Sequence, residues 1–504
     1  MRFIEARISY YTIAAYIVCG ALAFGFFPET PLLIGNALLW IAFGAVAMRG
    51  GIGRLTGLQV WSLAWLLLYA VSLFYAYNAE AALIGFWKMA GVFPLLAMFL
   101  QLDTKRRSRL FRFLPWTGAG IAALGVALEL YRNGRLESTF AYANGFAIFL
   151  LCGALVAVAT YGTHRRTMYL IPAACCFCGM FLSLSRGTWI VALATIALAI
   201  FLLKPDRSRF LLGVAIAAAA GFAAAAAISR SALFFLPRWR EAAEGAPEFS
   251  IRLTYWRDSL QMIRDHLWFG TGEGGWALLQ SAYRSESYYV AYVHNHYVQL
   301  LLDVGVVGLL LFLGGTAWHG GRVLRRLLSG ESQEGRTRAG LATLLSFALL
   351  FHAGADITLQ FPLLFALLLL ALAWTEERSP LPTAGRARSY GAATLAFLFA
   401  FLQLWAAAGY IDKTQGMKAG RNGAFAEGEE RLQRAEAMLP WASSPAYELA
   451  KLYVRRGNET GSAEDYRAAK EALERALLLL PEHTEYAALL EELHTIIGNN
   501  EGGE

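Results

Sequence analysis

Two histidines and two arginines in this 504-residue chain stand at places where they could act on a charged substrate. His294 and His296 flank Asn295 in the stretch Val293-His294-Asn295-His296-Tyr297, immediately before a long apolar run. An imidazole at such a border meets both water and lipid headgroups, and it is the side chain best suited to taking a proton from a hydroxyl near neutral pH. An ordinary interfacial polar residue is the alternative. Arg186, in Leu184-Ser185-Arg186-Gly187, sits at the end of another apolar run. A guanidinium there is costly unless paired or hydrated, so an anionic partner is expected. Phosphate matches its forked donors, with simple snorkelling as the competing account. Arg252 opens an amphipathic segment, and Lys88 lies about seven residues inside an apolar run. With Arg186 they could form a cationic pocket for a diphosphate, although Lys88 could equally be paired with an acid.

Asp303, His352 and Asp356 are ionisable groups within apolar stretches. His352 and Asp356 are four residues apart and so share a helix face, and Asp303 lies about two helical turns beyond His294. Orientation of reacting groups, a proton relay and plain interhelical hydrogen bonding all remain open for them. The sequence has no Asp-x-Asp pair in the outer loop, no His-x-x-x-His and no Walker-type loop, so neither a metal-dependent sugar-nucleotide enzyme nor an ATPase is indicated. No metal site or cofactor is therefore expected. Gly270, Gly272, Gly274 and Gly275 follow a helical pattern, not a strand, and read as a flexible turn with no dinucleotide fingerprint.

The elements that must position these residues are set by composition. At 57% hydrophobic, the chain is far more apolar than a soluble domain, and its apolar residues come in runs. Runs of roughly 17–22 residues are long enough to cross a hydrocarbon core as helices. Thirteen are expected, near 10–27, 31–48, 58–77, 81–100, 113–131, 140–160, 167–183, 188–203, 209–228, 297–318, 340–356, 360–374 and 390–408. Asp356 and Pro362 interrupt the stretch 340–374, which reads either as two helices or as a helix with a re-entrant segment, leaving twelve or thirteen spans. No convincing cleavage site follows Arg2 and Arg7, so the first run is expected to stay as a helix.

The net charge of +7 does not point to nucleic acid, because the basic residues fall in alternate loops. Lys105, Arg106, Arg107, Arg109 and Arg112 follow the fourth run; Arg165 and Arg166 the sixth; Lys204, Arg207 and Arg209 the eighth; Arg322, Arg325, Arg326, Arg336 and Arg338 the tenth. All four groups are cytoplasmic if the N-terminus is inside. The loop 229–296, with seven arginines against seven acids, is neutral and so expected outside. Within it, Arg252 to Phe269 reads as an interfacial helix with Leu253, Trp256, Leu260, Ile263 and Leu267 on one face, Ser250 as its cap and Gly270 as its stop. The five cysteines, Cys19, Cys152, Cys175, Cys176 and Cys178, all fall inside apolar runs and read as small packing residues.

Composition turns polar at Asp412, dividing the chain into a membrane domain, 1–410, and a tail, 411–504. The tail reads as helical pairs in which Pro440 and Pro481 close similar segments 41 residues apart. This is similar to tetratricopeptide repeats with an insertion near Gly457 to Ala463; a plain amphipathic tail is the alternative. The fold class is thus all-α: a polytopic helical bundle with one large extracytoplasmic loop and a C-terminal soluble helical-repeat region, the tail on the same face as that loop.

Taken in order, the segments Ser138-Thr139-Phe140-Ala141-Tyr142-Ala143-Asn144, Ser185-Arg186-Gly187, Arg252 through Trp256 to Gly270-Thr271-Gly272, and His294-Asn295 with Asp303-Val304-Gly305 resemble the O-antigen ligase and polymerase family of bacterial cell-surface glycan enzymes. The resemblance covers roughly residues 60–375. It implies metal-independent transfer of glycan from an undecaprenyl diphosphate carrier to an acceptor hydroxyl on the extracytoplasmic face of the cell membrane. Chemically, neutralising the diphosphate makes it a good leaving group, and a base for the acceptor is then needed. On this reading His294 is the base, Asn295 and Tyr297 orient it, Arg186, Arg252 and Lys88 bind diphosphate, and Asn144, Asp303, His352 and Asp356 support them. His296 is the rival base. Family members differ in acceptor, which is glycan, lipid or protein, and the tail is a candidate surface for a protein partner. A lipid-linked glycan flippase and a membrane-anchored scaffold are the competing functions.

Overall fold

A computed structural model describes residues 2–50, 55–203, 207–243, 247–329, 332–377 and 386–501. Lys204 and Glu244, counted above among the loop charges, lie outside these. Among the described residues, seven helices are long and apolar enough to cross a membrane: Glu29–Arg49, Ala79–Gln101, Thr104–Ala127, Ala143–His164, Arg207–Ile228, His296–Leu328 and Ala387–Arg421. Four shorter apolar helices, Gly57–Ser72, Thr167–Leu182, Arg186–Leu202 and Pro362–Ala373, pack among them. With Arg2–Leu22 and Gln333–Ala353, a helix stands at every apolar run of the sequence. The interrupted stretch is two helices: Gln333–Ala353 ends, a short 3₁₀ turn spans Thr358–Gln360, and Pro362–Ala373 follows. Pro362 fits there because it opens a helix, where its missing N–H costs nothing. Asp356 therefore lies beyond the helix that carries His352, and the two do not share a helix face.

Basic residues after the fourth, sixth and tenth spans gather at one end of the bundle. Arg107, 1% exposed, donates to the carbonyls of Phe99, Leu100, Ala373 and Glu376 at 2.6–3.3 Å, which is how a guanidinium becomes tolerable inside a protein. Arg322 pairs with the Glu376 carboxylate at 2.9 Å. At the other end lie the loop 229–295 and the tail. The thiols play the packing role expected of Cys152, Cys176 and Cys178, which are buried, whereas Cys19 is exposed; all five are free.

Among its described residues the loop holds three helices: Leu236–Ala243, Pro247–Asp265 and Gly275–Tyr283. Two expectations need correcting. The central helix starts before Ser250, so this serine lies within it and is no cap, and it ends at Asp265. Its apolar residues also divide: Tyr255, Met262 and Ile263 are buried against Trp276 and Val293, while Leu253 and Leu260, with Leu267, Trp268 and Phe269 just past its end, are exposed. Only the second set is free to meet a membrane interface.

The glycine-rich turn is not a flexible connection. The long helix His296–Leu328 breaks at Gly305, whose φ of 66° and ψ of −167° take it out of the helical region. The break removes the helical bonds that Val306 and Val307 would donate to Leu302 and Asp303. The turn supplies replacements. Thr271 N–H donates to the Leu302 carbonyl at 2.7 Å and Gly272 N–H to that of Asp303 at 3.0 Å, while Val306 and Val307 donate to Leu267 and Trp268 at 2.9 and 3.3 Å. This approach leaves no room for side chains: a Cβ on Gly305 would lie 2.3 Å from the Trp268 carbonyl, and one on Gly270, itself at φ +70°, 2.5 Å from that of Leu302.

The last membrane helix runs unbroken from Arg386 to Arg421, through the change of composition at Asp412. Helices Phe425–Met438, Ser444–Thr460, Ala463–Leu479 and Thr484–Glu501 follow, each packed on the next. The second of them ends at Gly461, a left-handed cap. The tail's core includes Leu278 of the large loop. Glu80, at the start of a membrane helix, accepts from the amide and hydroxyl of Ser444 at 3.2 and 2.6 Å. Tail and loop thus share one end of the molecule.

Replacing Gly305 by alanine forces a positive φ, costing about 1–3 kcal/mol, and adds the collision with Trp268. G305A is expected to lower the melting temperature of the detergent-solubilised protein by several degrees or to prevent its accumulation. Alanine at Gly320, further along the same helix with open space around it, leaves the melting temperature unchanged.

Candidate functional site

His294 is held by what surrounds it in the chain. Asn295 caps the helix that begins at His296, its carboxamide oxygen accepting from the amides of Tyr297 at 3.0 Å and Val298 at 3.2 Å. The indole of Trp256 donates to the Val293 carbonyl at 2.7 Å, and Val293 N–H donates to Gln299 at 3.1 Å. Between these fixed neighbours His294 takes φ +51°, in the left-handed region. Backbone strain in a non-glycine residue held by tight surroundings is a recurrent mark of functional positions. Asn295 and Tyr297 touch the helix, not the ring: the Tyr297 hydroxyl donates to the Leu350 carbonyl at 2.8 Å. Both fix the helix start on which His294 depends.

Arg252 reaches from the loop helix to the bundle. It donates to the Ala355 carbonyl at 2.6 Å and lies 3.6 Å from the Asp356 carboxylate. Asp356, buried, also accepts from the Tyr142 hydroxyl at 2.6 Å and the Asn144 amide at 2.7 Å. The network continues from Asn144, whose oxygen accepts from Arg135 at 2.6 Å and Ser185 at 2.9 Å. Ser185 meets Thr188, and Thr188 meets the His352 ring at 3.0 Å, whose other nitrogen faces Thr358. Arg186, beside Ser185, donates to the Arg238 carbonyl at 3.2 Å. Two helices, Ala143–His164 and Arg186–Leu202, begin within this network, and their positive ends favour an anion there.

Lys88 and Asp303 keep different company. Lys88 is buried against Glu273 in an ion pair, with Gln360 at 3.5 Å and the Tyr292 ring 5.8 Å away. Asp303 is fully buried, with one carboxylate oxygen accepting from Gln299 at 2.9 Å and the other without a partner. His296, 5% exposed, has neither ring nitrogen hydrogen-bonded. Seven of the residues singled out from the sequence thus fall into two clusters. Arg252, Asp356, Asn144 and His352 share a network whose charges act on His294, whereas Lys88 and Asp303 are grouped with Glu273.

Burial pushes the His294 imidazole below the ordinary histidine range; the Asp356 carboxylate opposes this and the Arg252 guanidinium reinforces it. The ring is therefore neutral at neutral pH and able to accept a proton, and its Nδ1 is buried without a partner. Further along the loop, burial alone would raise the Asp258 carboxyl. Bonds from the Ser285 amide at 2.8 Å and the Tyr288 hydroxyl at 2.8 Å, with nearby Arg257, outweigh this and hold it below the usual range. That tie fixes the loop's return to His294.

Arg135 was not anticipated. It lies in the second strand of a two-stranded hairpin, Tyr131–Arg132 with Arg135–Leu136, turned by Asn133-Gly134, both at positive φ. Asn-Gly between extended residues is a strong hairpin signal, so this one was open to reading. Glu273 lay hidden inside the glycine-rich turn. Among the described residues, no three of His, Cys, Asp and Glu gather as a metal site would need.

Fold and site together define a polytopic helical membrane protein with a histidine, arginines and a carboxylate collected at one mouth of its bundle. Residues 171–313 match the family model described as O-Antigen ligase. The match supports that family and with it membrane glycan transfer of the ligase or polymerase type. It takes in Arg186, Arg252, His294, Asn295, Tyr297 and Asp303; Lys88, Asn144, His352 and Asp356 lie outside it. No curated protein matches the chain.

The electrostatics of His294 give a paired prediction. Removing the cation in R252Q raises the pKa of His294, and removing the anion in D356N lowers it, so the ring protonates at higher and lower pH respectively. Titration of labelled histidines by NMR, with H294Q to assign the signal, reads both; movement of the two variants in the same direction would refute the arrangement.

Proposed function

We propose that the protein transfers a glycan from an undecaprenyl diphosphate carrier to an acceptor hydroxyl, at the extracytoplasmic mouth of the bundle. The observation that carries this reading is the joining of Arg252, from the loop, to Asp356 and Asn144, from the bundle, with His294 beside them. In the reaction, the acceptor oxygen attacks the anomeric carbon as its proton passes to His294. The anomeric C–O bond breaks, and the diphosphate leaves with the electron pair. Arg252 and Arg186, aided by the helix starts at Ala143 and Arg186, neutralise the charge that develops on it. Asp356 holds Arg252 in place and moderates His294. Lys88, already neutralised by Glu273, is better suited to fixing the glycine-rich turn than to holding diphosphate. The tail, packed on loop and membrane domain, suits a surface that selects the acceptor or a partner enzyme, and its tetratricopeptide-like pairing fits that use.

Purified protein incubated with an undecaprenyl-diphosphate-linked oligosaccharide and candidate acceptors, without added metal or ATP, is expected to move the glycan to one acceptor. H294A should lower the rate by about 10²–10⁴-fold with normal expression, the usual worth of a general base. Movement of the lipid-linked glycan across vesicles with the carrier intact would favour a flippase instead. Full function of H294A and R252A would favour a scaffold.

A further inference from the structure

At the opposite end of the bundle, the basic run after the fourth span is divided between two uses. Arg106 pairs with Asp103 at 2.7 Å, and Arg107 is buried among backbone carbonyls. Lys105, Arg109 and Arg112 are turned elsewhere. Together with Arg166, from the loop after the sixth span, they line a cavity of about 530 Å³ that contains no acidic residue. Among the described residues none of these four cations has an ion pair or side-chain hydrogen bond. The remaining wall is aromatic. Tyr10 packs against Phe113 at 6.3 Å between ring centroids, and Trp116 against Tyr169 at 6.3 Å.

Four like charges around one hollow repel each other, and among the described residues no carboxylate lines it to offset them. Positive residues at a cytoplasmic membrane face need no cavity to set topology. A converging set with aromatic walls is instead the form of a site for a phosphate-bearing headgroup. The rim specifies the source of that phosphate. Phe113 and Trp116, which line it, are each 41% exposed, and Ile171 and Tyr11, close along the chain to the lining residues Tyr169 and Tyr10, 63% and 60%, all in segments that read as membrane spans. An acyl chain has an apolar surface to lie on directly beside the cations.

We propose that this pocket binds the phosphate headgroup of an anionic membrane lipid, with Lys105, Arg109, Arg112 and Arg166 as its ligands and the Phe113, Trp116 and Ile171 surface as the seat of its chains. Bound there, the lipid joins the first, fifth and seventh spans and holds their inner ends together. The site lies at the other end of the bundle from His294 and does not depend on the transfer reaction.

The test uses the full chain, purified in detergent and titrated with phosphatidylglycerol, phosphatidylcholine or inorganic phosphate, read by native mass spectrometry and by thermal unfolding. Phosphatidylglycerol should bind and raise the melting temperature, and phosphatidylcholine should not. R109Q/R166Q and, independently, K105Q/R112Q should each weaken phosphatidylglycerol binding by about tenfold or more, from the loss of two near-surface cations. R421Q, an exposed arginine in the tail-side helix end, should leave it unchanged. Equal binding of the two lipids, unchanged binding in both double variants, or displacement of the lipid by inorganic phosphate at millimolar concentration would each overturn the proposal.

Discussion

A helix that breaks inside an apolar bundle leaves backbone groups with no water to meet them, and each such group costs several kcal/mol if it stays unpaired. The break at Gly305 is of this kind. Its two lost bonds are replaced by four bonds to the segment Leu267–Gly272, so that segment cannot leave without exposing all of them. Much else follows. The turn fixes the end of the loop helix that carries Arg252, brings Glu273 to Lys88, and seats the first part of the broken helix, whose cap lies next to His294. A loop of nearly seventy residues is thereby attached to the bundle through main-chain geometry.

This accounts for what could and could not be read from the residues. Apolar runs report burial directly, so every helix of the bundle stood where its run predicted, and Pro362 marked the start of one. His294 was recognisable as an ionisable group at an apolar border, Asp356 as one within an apolar stretch, and Arg252 as the start of an amphipathic segment. Their grouping was less accessible. His352 and Asp356 do meet one network, but through a turn and the side chains of Thr188, Ser185 and Asn144, since the helix ends at Ala353. The glycines of the turn were misread for a related reason. Glycine signals freedom of φ, and only the partner strand of backbone at Leu302–Asp303 reveals that the freedom is used to approach closely and is then lost. Lys88 and Glu273, 185 residues apart, carry no local mark of their pairing.

The two polar clusters divide the work of a charged pocket in a low-dielectric setting. Around His294 the charges differ in exposure: the Arg252 side chain is partly exposed, and the Asp356 carboxylate it meets is buried. Around Lys88 they are buried and already paired, which suits support more than binding. His294 and His296, two residues apart, lie against different clusters, and this gives two otherwise equivalent imidazoles different surroundings.

The unbroken helix from Arg386 to Arg421 spans about 54 Å at 1.5 Å per residue. Its inner part lies along the helix Glu29–Gly50 in the most extensive helix pairing of the molecule, and its outer part forms the base of the tail. It has no hinge among the described residues at the point where polar sequence begins. The tail is consequently mounted on a rigid mast: a load applied to its outer helices is felt as a torque deep in the bundle, and motion of either body carries the other with it.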